Sequence, residues 1–69
     1  MYELWSRSGN LAGRYRSEKI ALLAVLEHAA AYGDDAVDGL TLTHEEEHGT
    51  HKVACGMLLL TRVRAASNQ

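Results

Sequence analysis

The chain has no phenylalanine, one tryptophan and three tyrosines, so its rings are Tyr2, Trp5, Tyr15 and Tyr32. A core with so few rings must be built mainly from Leu, Val and Ala. Short chains with such cores often gain stability by pairing with a second copy. The single cysteine, Cys55, excludes an internal disulfide and fits a reducing compartment. No apolar run approaches the ~18 residues that a membrane span needs. The opening Met-Tyr-Glu-Leu-Trp has no basic stretch leading into an apolar one, so no secretory signal is expected. These absences together predict a cytoplasmic protein without a membrane partner. Also missing are a Gly-rich phosphate loop, a Ser-His-Asp spacing and paired carboxylates suited to a pocket. Neither an enzyme activity nor a cofactor is therefore expected.

What is present is one unit written twice. Sixty-nine residues allow a single domain, 1–69, and a chain this short buries only about 60% of its unfolded surface. A hydrophobic content of 46% is too high for disorder. Residues 2–32 read as a hairpin followed by a helix, and residues 40–66 read the same way again. The expected fold is α+β: a four-stranded antiparallel sheet with two helices on one face, a ββαββα pseudo-repeat. Which strands meet at the centre, or across a dimer, is left open.

In the first unit, Gly9-Asn10 as a two-residue loop sets Leu4 opposite Tyr15, Trp5 opposite Arg14 and Glu3 opposite Arg16. One face then holds Tyr2, Leu4, Leu11 and Tyr15, and the other carries a salt pair and an Arg over an indole. Ser17 is an N-cap with Glu18 in the first turn, and Gly33 closes the helix at Tyr32. Its sheet-facing side is Ala21, Leu22, Val25 and Ala29. Ile20 and Leu23 fall to the flank, where a partner would cover them. Gly33 to Gly39 is a short acidic connection in which Asp34 or Asp35 caps a turn through Ala36 and Val37.

In the second unit, His48-Gly49 as the loop sets Glu46 opposite His51, Glu45 opposite Lys52 and His44 opposite Val53. The inner face is then Leu40, Leu42, His44, Val53 and Cys55, and the outer face carries Thr41, Thr43, Lys52 and Ala54. A helix follows from about Met57 to Ala66, packing through Leu59, Leu60 and Val63. Ser67 to Gln69 is a frayed tail.

Four readings of function follow. The leading one is a non-catalytic, self-associating interaction or regulatory module, with Trp5, Arg14, Ile20 and Leu23 as interface candidates. Its partner is a second copy or another protein. The net charge of −2 is split between an early basic cluster and the later Asp34, Asp35, Asp38 and Glu45–Glu47, which suits self-association. A second reading is a nucleic-acid-binding or antitoxin-like regulator using Trp5, Arg7, Arg14 and Arg16, since stacking plus phosphate contacts is how single strands are held. The acidic residues on the same face count against it.

A third reading is a metal-binding protein through His44, His48 and His51 at the hairpin tip. The register sets His44, Glu46 and His51 on one face, with Cys55 further along. The fourth is catalytic. His44-Glu45-Glu46-Glu47-His48 matches H-E-x-x-H, which needs a helix to bring both histidines onto zinc. Here the alternating Leu-Thr-Leu-Thr before it and Gly49 after it predict a hairpin. Cys55 is read as a small buried thiol rather than a nucleophile.

Tyr2-Glu3-Leu4-Trp5, Ser8-Gly9-Asn10 and Ser17-Glu18 with Ala21-Leu22 resemble a group of small uncharacterised bacterial proteins of about this length. The resemblance implies the hairpin-helix order and no activity, and it does not extend to the segment His44 to His51.

Overall fold

Strands β1 (Tyr2–Trp5) and β2 (Leu11–Tyr15) form the first hairpin and lead into helix α1 (Glu18–Tyr32). A 3-10 turn (Asp34–Gly39) connects to strands β3 (Thr41–Glu46) and β4 (Gly49–Cys55), and helix α2 (Gly56–Ser67) follows directly. The computed structural model describes residues 1–67. Of the tail expected to fray, Ser67 ends α2, and Asn68 and Gln69 lie outside the described residues. Strand order is β2-β1-β3-β4, antiparallel throughout, so the two units join through β1 and β3. Leu4 pairs with Leu42 at that seam, and Met1 and Glu45 exchange hydrogen bonds at its end. The expected architecture is therefore the one formed.

Both hairpins turn two residues away from the expected register, for one reason. A type I′ loop needs positive φ at both central residues. Here only glycines have positive φ, Gly9 at 87° and Gly49 at 131°. Each glycine takes the last position of its turn instead of a central one. Ser6 donates its N–H to Asn10 O, and Gly9 donates to Ser6 O, leaving Arg7-Ser8-Gly9 as the loop. In the second hairpin Glu46 pairs with Gly49 across Glu47-His48.

The slip is even at the loop-distal pairs of the first hairpin and at the loop-side pairs of the second, so those pairs keep their faces. Bulges then change the rest. Leu4 pairs with Gly13 but Trp5 with Leu11, and Leu42 pairs with Ala54 but Thr43 with Lys52. The extra residues are Ala12 and Val53, at matching places in the two units. Leu11 is thereby moved from the inner face to the side of Trp5. Ala54 moves inward and is buried, while Cys55 moves outward beside Thr41 and is half-buried. The expected pairs Glu3–Arg16, Trp5–Arg14 and Glu45–Lys52 are replaced by Glu3–Arg14, Trp5–Leu11 and Glu45–Thr50.

The core lies between the inner sheet face and the helices. Leu4, Leu42 and Ala54 meet Ala21, Leu22, Val25 and Ala29 of α1 and Leu59, Leu60 and Val63 of α2. Both helices bury the residues expected of them. Ser17 Oγ accepts the N–H of Ile20 as N-cap, and the Gly33 N–H returns to Ala29 O. The 3-10 turn differs from expectation: neither Asp34 nor Asp35 makes a side-chain cap. The turn's role is to insert Val37, 0% exposed, between the helices. Arg62 of α2 hydrogen-bonds Glu18 at the start of α1, and this bond holds the guanidinium above its usual pKa. Gly56 joins β4 to α2 with φ 57° and no intervening loop, and donates to Leu40 O. Among the described residues no helix is long and apolar enough to cross a membrane.

Candidate functional site

Two places gather the residues singled out by the sequence, and they lie on opposite faces of the sheet. The first is the outer face, which neither helix covers. Following the register across it, Leu11, Trp5, Thr41 and Cys55 form one row over all four strands. The adjacent row is Arg14, Glu3, Thr43 and Lys52. Trp5 Nε1 donates to Thr43 Oγ1 at 3.0 Å, and Thr43 Oγ1 donates to Glu3 O. The indole N–H is thus satisfied within the face, and the ring itself is what Trp5 offers outward. Arg14 sits between two carboxylates, 3.4 Å from Glu3 and 3.5 Å from Glu45.

The four residues of the nucleic-acid reading do not form one cationic surface. Arg14 is flanked by carboxylates. Arg7 lies in the β1–β2 loop, where it packs on Gly39 and pairs with Asp38 at 3.2 Å. Arg16 is exposed just beyond β2. The interface candidates also separate. Trp5 and Arg14 are on the outer sheet face, whereas Ile20 and Leu23, each 49% exposed, lie on α1.

The second place is the tip of the β3–β4 hairpin on the inner side, beyond the end of the core. Residues two apart on a strand share a face, so Leu42, His44 and Glu46 point the same way. His51 pairs directly with His44. His44 Nδ1 lies 3.2 Å from Glu46 Oε1, and the two imidazoles meet edge to face at 5.4 Å between centroids. Tyr2 stacks on the other side of His44 at 4.1 Å with planes 4° apart. One donor atom from each of His44, Glu46 and His51 falls within 4.8 Å of the others.

His48 is not part of this group. It occupies the turn with Glu47, so of the expected set His44, His48 and His51 the structure brings His44 and His51 together, with Glu46 as the third neighbour. The H-E-x-x-H segment is strand and turn, which removes the helical spacing that its chemistry requires. The bulge at Val53 also separates Cys55 from His44, putting thiol and imidazole on opposite faces. Among the described residues no polar or charged side chain is buried.

No family model matches the chain, and no curated protein or solved structure matches it either.

Proposed function

We propose that the chain is a small non-catalytic interaction module that pairs with a second copy through the open face of its sheet. The observation that carries this reading is the row Leu11, Trp5, Thr41 and Cys55, which crosses all four strands where no helix covers them. Leu11 is 46% exposed, and the chain continues from Cys55 into the exposed Met57 and Leu58. A partly exposed Trp with its polar tip satisfied is the residue type that anchors interfaces. Charge on the face supports a second copy as the occupant. Arg14 and Lys52 are matched by Glu3 and Glu45, so a like face meets no net repulsion, and a polyanion meets no net attraction. The separation of Cys55 from His44 supports a non-catalytic role.

Area sets the strength. Four strands at about 4.8 Å and five residues at about 3.3 Å span roughly 300 Å² in projection. That is below the roughly 800 Å² per partner of standard interfaces, so the pairing is weak and concentration-dependent. Sedimentation equilibrium over a wide concentration range tests it. A monomer–dimer equilibrium is expected, displaced to monomer in Trp5→Ala and retained in Leu23→Ser. A dimer that survives Trp5→Ala and is lost in Leu23→Ser would move the interface to α1.

A further inference from the structure

The tip of the β3–β4 hairpin carries a donor set that the pairing reading leaves unused. We propose that His44, Glu46 and His51 form a divalent-metal site, for which Zn2+ is the ion best suited. Two imidazole nitrogens and one carboxylate oxygen are the borderline donors that zinc takes in three-ligand sites. The spacing is close to what such a site needs. Bonds of about 2.0–2.1 Å to a tetrahedral ion set neighbouring donors about 3.3 Å apart. The His44 Nδ1 to Glu46 Oε1 separation is 3.2 Å. The full set lies within 4.8 Å, so the longest edge closes by about 1.5 Å on binding, within the reach of exposed side chains.

Backbone and packing both hold the arrangement. His44 and Glu46 alternate on one strand, and His51 is the direct cross-strand partner of His44. The Tyr2 ring against His44 fixes the plane of the imidazole before any ion arrives. A stabilising role for a lone His–Glu pair would account for His44 and Glu46 alone. It does not account for His51, whose ring is turned 79° to that of His44 beside the same carboxylate. Glu46 and His51 are exposed, so a bound ion keeps a fourth position open to water or to a donor from outside.

The site and the pairing face lie on opposite sides of the sheet, so each is testable without the other. The experiment is isothermal titration of the full chain with Zn2+ alone, in a buffer that does not bind metal. The expected result is one ion per chain. His51→Ala and Glu46→Gln should each weaken binding roughly 10-fold or more. His48→Ala and His28→Ala, which change histidines outside the set, should leave it unchanged. His51 is exposed, so its replacement keeps the fold, and circular dichroism of each metal-free variant verifies this. Equal affinity in His51→Ala, an equal loss in His48→Ala, or saturation at two or more equivalent ions per chain would overturn the proposal. So would one ion shared between two chains.

Discussion

Val37 lies in a stretch of sequence that reads as a polar connector, between Asp35 and Asp38, and the structure makes it a core residue. Replacing it by Ala removes two methyl-sized groups from a site with 0% exposure. Transfer alone costs about 1.6 kcal/mol at about 0.8 kcal/mol per buried carbon. A residual cavity adds to this, because the 3-10 turn is held by Gly33 at one end and by the Leu40 N–H to Val37 O bond at the other. The sum is about 2–3 kcal/mol. A domain of this size has only about 3–10 kcal/mol in total, so the loss is a large fraction. Melting should fall by about 10–20 °C at about 4–8 °C per kcal/mol. Urea unfolding followed by far-ultraviolet circular dichroism measures the change, with Asp35→Ala, an exposed neighbour, as the control expected within about 0.5 kcal/mol. A Val37→Ala variant as stable as that control would mean that the turn does not wedge between the helices, and that α1 and α2 pack without it.

Gly56→Ala should cost about 1–2 kcal/mol, read as a lower urea midpoint, because φ 57° disfavours any Cβ and the added carbon would sit 3.4 Å from Asp38 O. Ser17→Ala should cost about 1 kcal/mol by the same assay through loss of the cap on Ile20 N–H. Cys55 should react with a thiol reagent in the native state, since the bulge turns it to the outer face. Its labelling rate should fall as protein concentration rises if the sheet faces pair, and a rate independent of concentration would count against the pairing. Trp5 fluorescence should be unmoved by a single-stranded oligonucleotide at physiological salt, whereas a saturable quench would revive the nucleic-acid reading.

Periodicity made the elements, the helix faces and the caps legible. Ser17, Gly33, the Ala21–Leu22–Val25–Ala29 face and the Leu59–Leu60–Val63 face all do what spacing implies. Three things were not legible. Strand order depends on which strands meet, and nothing in either hairpin says that Leu4 will pair with Leu42. The bulges are hidden as well, because the extra residues Ala12 and Val53 each adjoin another apolar residue, Leu11 or Ala54, so either of the two could be assigned to the inner face. Val37 was missed because a single apolar residue in a 3-10 turn has no period to display.

The kind of error explains which site readings survive. A slip of two residues changes every partner and no face. Claims about pairs therefore failed together: Glu45 does not oppose Lys52, and Glu3 meets Arg14 rather than Arg16. Claims about faces held on the loop-distal side of the first bulge, where Tyr2 and Leu4 still point with Tyr15, and on the loop side of the second, where His44 and Glu46 still point with His51. The slip even brought His51 from beside Glu46 to directly opposite His44. Beyond the bulge the parity reverses, which is why Cys55 left the histidine side for the row with Trp5. The turn glycines set the first effect and the bulges set the second, so the two surfaces are products of the same backbone devices. A variant that restored regular pairing by deleting Val53 should keep Ala54 opposite Leu42 on the inner face and Cys55 opposite Thr41 on the outer one. The thiol should stay open to a thiol reagent, the apolar row should stay unbroken at β4, and His44 should still pair with His51; a thiol that became protected would mean that the strand had slipped its register instead.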